Sequence, residues 1–188
     1  MRKLIVLFCL MGWCALSFGQ ETSQRLGRVP KAVEFYTNVD SLANLEEAYQ
    51  ASLYYTSHYN LTPKTGTCLT YVIDFSMVSR DMVYAVGPSF EKFSKELGDD
   101  THMMLGALIS GYIIYMYEHP EEDHKDFSEN AYIYAMSTML DFYSSHLQMK
   151  IGNQSNTLDN YIKTYEKSKE KYLEMLKEEY KLIKNRKK

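Results

Sequence analysis

Residues Met103 to Tyr117 leave the chain the fewest choices. Apart from Gly106, Ser110 and Gly111, every one of these fifteen side chains is apolar or aromatic. Coiled as a helix, the stretch rises about 22 Å, short of the roughly 30 Å hydrocarbon layer of a bilayer. It is too short to span a membrane and too apolar on every side to lie on a surface. The segment 101–118 is therefore expected as a central helix wrapped by other elements. Gly106 with Ser110, and Ala107 with Gly111, place small residues four apart on one face, which predicts close approach by a second helix.

What surrounds that helix is expected to be helical too. Pro30, Pro63, Pro88 and Pro120 each follow a candidate break, and proline is tolerated in a helix's first turn, where its missing N–H would lack a partner anyway. Gly98 and Gly152 each follow a periodic segment, as C-terminal caps do. Pro30 to Tyr36 reads as a short element. Leu42, Leu45, Tyr49 and Leu53 repeat at near-helical spacing over 41–58, with Asp40 or Ser41 as the cap. Asn60 to Thr67 reads as a loop. Residues 68–86 contain a strand-like run, Thr70 to Phe75, yet no alternating partner strand occurs, and a lone strand would leave its backbone groups unpaired. A helix is preferred there, ending at Gly87-Pro88. Pro88 to Leu97 then makes a short amphipathic helix through Phe90, Phe93 and Leu97.

After Glu118-His119-Pro120, the acids Glu121, Glu122 and Asp123 suit the positive end of a helix running to about Met149. The last helix, 156–185, has the clearest period. Leu158, Tyr161, Ile162, Tyr165, Tyr172, Leu173, Leu176, Tyr180 and Ile183 share about 120° of arc, with Lys and Glu opposite. Both final helices would be near 45 Å long, joined by a short connection. The predicted fold is thus an all-α, single-domain bundle of about five to six helices with a long C-terminal antiparallel hairpin.

The chain start carries an export pattern. Met1-Arg2-Lys3 precedes an apolar run, Leu4 to Phe18, and small residues at Ser17 and Gly19 complete a secretory leader. Residues 1–19 are expected to be cleaved near Gly19, leaving a secreted or periplasmic protein with a flexible 20–40 segment and a helical domain at 41–188. Cleavage removes Cys9 and Cys14, so Cys68 would stand alone and no internal disulfide could form. No acid and two bases lie in the leader, so the remaining 169 residues carry 19 basic against 24 acidic side chains, a net charge of −5. The balance is uneven: residues 163–188 hold ten basic side chains against five acids, while 20–162 hold nine against nineteen. The basic tail 184–188 offsets the helix dipole, and weak contact with anionic lipid is the other role open to it. Export argues against nucleic-acid binding, and no transmembrane span is expected in the mature chain.

No catalytic, metal or nucleotide motif is present, and no cofactor is implied. Di-iron bundles need two Glu-x-x-His pairs; the chain has one, Glu121 to His124, in a polar turn. His146 sits on an apolar face, where a packed or capping histidine is the usual finding and an apolar ligand the rarer one. Cys68 and His58 lack a third, orienting group. Asn60 and Asn153 match the glycosylation pattern. The 17 tyrosines stand out. Their rings with polar tips suit the rim of a core or a binding face. The favoured reading is a non-catalytic protein that binds another protein through a Tyr-rich helical face, with Tyr161, Tyr165, Tyr172, Tyr180 and His146 as the candidate residues. The alternatives are a carrier of an apolar small molecule in the Met- and Tyr-rich interior of 103–117 and 132–149, and an enzyme.

Overall fold

A computed structural model describes residues 29–34, 36, 45–58, 62–80, 82–148 and 152–186. The expected leader, the cap at Asp40 or Ser41, Asn60 and the final two lysines lie outside these residues. Among the described residues the regular structure is helical, without strands. The helices are α1 (Lys31–Glu34), α2 (Leu45–Ser57), α3 (Pro63–Val78), α4 (Pro88–Leu97), α5 (Thr101–Glu118), α6 (Glu129–Gln148), α7 (Asn156–Lys167) and α8 (Lys169–Arg186). A 3-10 turn, Gly98–Asp100, links α4 to α5. The chain is an all-α bundle.

The central place of α5 follows from its composition. Gly106 through Met116 are buried without interruption, so the helix shows no outward face. Its broadest packing is against α6, then against α2, with α3 also in contact. The small residues permit this. A methyl group at Gly111 would stand 2.6 Å from the Ala135 Cα of α6, and one at Gly106 would stand 2.0 Å from Leu69 of α3. Hydrogen bonds tie the packed layers together. The Tyr55 hydroxyl donates to the Met103 carbonyl at 2.9 Å, and that of Tyr112 to the Ala85 carbonyl at 3.1 Å. No helix among the described residues is long and apolar enough to cross a membrane.

Three boundaries differ from those read in the sequence. Helix α3 begins at Pro63, inside the expected loop 60–67. There Thr62 and Thr65 close a reciprocal cap, Thr62 N–H donating to Thr65 Oγ1 at 2.8 Å and Thr65 N–H to Thr62 Oγ1 at 3.2 Å. It ends at Val78, so the helix expected to reach 86 stops about two turns early, and residues 82–87 carry no regular structure. Helix α6 starts at Glu129, where Ser128 Oγ accepts from Ala131 N–H at 3.1 Å. The acids at 121–123 lie in turns, not in a first helical turn.

The largest correction concerns 156–185. This is not one straight helix, because Ser168 breaks it with extended backbone, φ −162° and ψ 108°. Ser168 ends α7 through its own N–H, bonded to the Thr164 carbonyl, and starts α8 by accepting from Lys171 N–H at 3.3 Å. Serine competes well for such a place, since its hydroxyl serves backbone groups outside a helix. The chain turns back there: Tyr161 and Glu179, eighteen residues apart, are hydrogen-bonded. In a straight helix they would be separated by about 27 Å. Neither of the two expected 45 Å rods is present. Helix α6 has 20 residues, and the C-terminal segment is two shorter helices.

Candidate functional site: a groove between α4, α7 and α8

Helices α4, α7 and α8 meet through carboxylates that cap one another's ends. Gly87, the residue before α4, has no side chain to cap it, and the cap comes from α8. Glu179 Oε1 accepts from Ser89 N–H at 2.7 Å, while Oε2 accepts from the Tyr161 hydroxyl at 2.6 Å. Helix α4 returns the arrangement at the start of α7. The Glu96 carboxylate accepts from the Ser155 hydroxyl and from both Thr157 N–H and Thr157 Oγ1 at 3.0 Å. Anionic oxygen at a helix N-terminus answers unpaired N–H groups and the positive dipole end together. A further clasp holds the connection before α7: Asn153 N–H donates to Asp100 Oδ2 at 2.6 Å, and Asn153 Nδ2 to the Leu97 carbonyl at 2.9 Å.

Glu179 is only 6% exposed, and its surroundings explain how a buried acid is tolerated there. The Cα of Gly87 lies directly beneath it, since a methyl group at that position would meet Oε1 at 2.1 Å and the Tyr132 hydroxyl at 2.5 Å. The Tyr132 hydroxyl is beside the carboxylate without closing a well-formed hydrogen bond. Burial, and after it the nearby Glu179 charge, pushes the Tyr132 and Tyr161 phenols well above the usual tyrosine range. Tyr112 is raised for the same leading reason. No cation is paired with Glu179 among the described residues, so dipole and hydroxyls alone balance it.

Above this carboxylate the three helices enclose an open groove of about 880 Å³. Pro88, Tyr161, Met175 and Leu182 give it apolar wall, with Leu182 55% exposed. Lys92, Lys171, Glu174 and Glu178 bring both signs of charge. Glu178 is paired with Lys181 at 2.7 Å, whereas among the described residues no ion pair engages Lys92, Lys171 or Glu174. Ser89 lines the groove too. Its residue is 8% exposed, and its hydroxyl lies near that of Tyr161 without a hydrogen bond of acceptable geometry.

No protein-family model, curated protein or solved structure matches this chain. Its site must therefore be read from its own residues.

Of the five candidates singled out by sequence, the groove takes one, Tyr161. The other tyrosines turn toward the body of the protein. Tyr172 is buried with its hydroxyl 2.9 Å from Ser137 Oγ, and Tyr165 packs edge-on against it at 5.3 Å. Tyr180 is buried and donates to the Phe127 carbonyl at 2.9 Å. His146 is buried in α6 against the Phe142 ring, its Nδ1 3.1 Å from the Phe142 carbonyl, and burial lowers its pKa. The Glu121–His124 spacing does not bring its two side chains together as a ligand pair. His124 Nε2 meets the His119 carbonyl at 2.7 Å. Glu121 and Glu122 gather instead with His119, and Glu122 accepts from Tyr115 at 2.6 Å. No residue of 103–117 or 132–149 lines the groove, so it is distinct from the expected ligand interior.

Sequence reading missed Glu179, Ser89 and Glu96. For Glu179 the signal was weak: at 100° per residue it falls at the edge of the apolar arc, in the direction of Tyr161 and about 20° from Tyr172. An acid at that edge can reach water, so its burial does not follow from the period alone. For Ser89 and Glu96 no such signal exists, because their partners lie far along the chain.

Proposed function

We propose that this is an exported, non-catalytic protein that docks a short extended segment of a partner protein in the groove between α4, α7 and α8. The groove itself carries the reading. Its α8 wall, from Lys171 to Leu182, is about 16 Å long, the span of about five extended residues. Apolar wall alternates with unengaged charges of both signs, which suits a peptide's mixed side chains better than a uniformly apolar ligand. Export is supported by the basic start, the apolar run 4–18 and the small residues at 17 and 19. Of the candidate tyrosines Tyr161 alone lines the groove, while Tyr172 and Tyr180 bond Ser137 and the Phe127 carbonyl.

Selection from a displayed peptide library, followed by magnetic-resonance mapping of the selected sequences, tests this. Selected peptides should perturb Tyr161, Met175 and Leu182. Leu182→Glu should abolish binding, while Met77→Glu, at an exposed apolar site outside the groove, should preserve it. Selected peptides that map elsewhere, or that ignore Leu182→Glu, would overturn the reading. Export is checked separately by the intact mass of secreted protein, expected to begin at Gln20.

A further inference from the structure

The buried Glu179 carboxylate lines the groove, and among the described residues no side-chain cation pairs with it. Glu179 uses one bond on each carboxylate oxygen, to Ser89 N–H and to Tyr161, leaving lone pairs unspent. Ser89 Oγ beside it is buried without a well-formed bond. Glu174, exposed and outside any ion pair among the described residues, stands on the same wall as Glu178 and Glu179. Lys181 holds Glu178, so Glu174 and Glu179 are the groove carboxylates outside any ion pair among the described residues, and of the two Glu179 is the buried one. Both helix N-termini that could have attracted an anion, those of α4 and α7, are already filled by Glu179 and Glu96. The vacant chemistry is that of a donor with positive charge.

Resting on the docking reading above, we propose that Glu179, Ser89 and Glu174 select a segment carrying a lysine or arginine side chain, whose cationic end is held at the groove floor. An ammonium offers three donors and a guanidinium five, with no acceptor to conflict with this lining. A charge-assisted bond to a carboxylate shielded from water is stronger than its exposed equivalent, which makes the preference measurable in a short peptide. Lys92 and Lys171 remain for the segment's carbonyl or acidic groups.

Three capped tripeptide amides serve as probes: acetyl-Leu-Arg-Leu, acetyl-Leu-Gln-Leu and acetyl-Leu-Glu-Leu. Each is titrated into the full chain while the signals of Tyr161, Met175 and Leu182 are followed. The arginine peptide should bind at least about fivefold tighter than the glutamine one, a difference of about 1 kcal/mol, and the glutamate peptide should be weakest. Glu179→Gln keeps an acceptor for Ser89 and Tyr161 while removing the charge, and should erase most of the preference. Glu174→Gln and Ser89→Ala, which leave the α4 cap intact, should each reduce it, so the test survives a poorly folded Glu179 variant. Equal binding of all three peptides in the groove would overturn the cation preference and leave docking standing. No groove response to any of them would count against docking as well.

Discussion

Tyr161 and Glu179 are eighteen residues apart in the chain and 2.6 Å apart in space, and their bond closes the fold of the C-terminal segment. Tyr161 donates to the same buried carboxylate that caps α4. One side chain therefore fixes how three helices meet.

This coupling is measurable. Tyr161→Phe removes a donor from a buried acceptor and should cost about 1–2 kcal/mol. Glu179→Ala leaves Ser89 N–H and the Tyr161 hydroxyl both unanswered and should cost about 2–4 kcal/mol. In a double-mutant cycle by urea unfolding, the pair should show about 1 kcal/mol or more of interaction energy. Additive losses would mean that the two side chains are not bonded in solution.

The α5–α6 crossing yields a second prediction, with its own control. A methyl group at Gly111 would meet the Ala135 backbone at 2.6 Å, and backbone cannot rotate aside. Gly111→Ala should therefore destabilise by about 1–3 kcal/mol. Gly66, in the first turns of α3, has nothing within 4 Å of its added Cβ. Gly66→Ala should be neutral or stabilise by about 0.5 kcal/mol, because alanine gives up less backbone freedom. Thermal unfolding of the two variants side by side distinguishes them.

The sequence reading succeeded where composition alone dictated burial. A run as apolar as 103–117 has one place to go in a bundle, and its small residues did mark a close crossing, at Gly111 with Ala135. It failed at Ser168 because the apolar arc passes through the break undisturbed. Both halves present their stripe to the same body, so 158 to 183 keeps one period although the backbone reverses. Thr65 and Gly66 resemble loop in the sequence for a related reason. Their loop-like composition hid a reciprocal cap that starts α3 at Pro63. The groove was not legible at all, since Ser89, Tyr161 and Glu179 belong to three helices whose junction depends on that reversal.

Acid sensitivity should trace partly to Glu96. Hydrogen bonds from Ser155 and Thr157 hold its pKa below the ordinary 4.5. Because the folded value is the lower one, the carboxylate contributes stability fully above pH 4.5, and this is lost as pH falls through the folded pKa. Wild type should exceed Glu96→Gln in stability at neutral pH, with the gap closing in acid. Its partners are neutral groups, so the gap should change little with added salt, unlike that of an exposed ion pair. A gap constant from pH 7 to pH 3 would exclude the carboxylate as its source.

Cys68 provides a probe of whether the α2–α3–α5 core stays closed. The residue is fully buried, and burial pushes its thiol up to about 12, far from the thiolate form at which alkylation proceeds. In native protein at pH 8, iodoacetamide should leave Cys68 unmodified for hours, and in urea it should react within minutes. Peptide mass mapping separates it from Cys9 and Cys14, which the leader would carry. The reaction needs an opening of α3, so its native rate should rise in Leu69→Ala, a variant that truncates the residue next to Cys68 and empties space against Gly106 of α5. Fast native labelling of the wild-type chain would mean that α3 detaches readily, and that the cap at Thr62 and Thr65 does not hold it against α5.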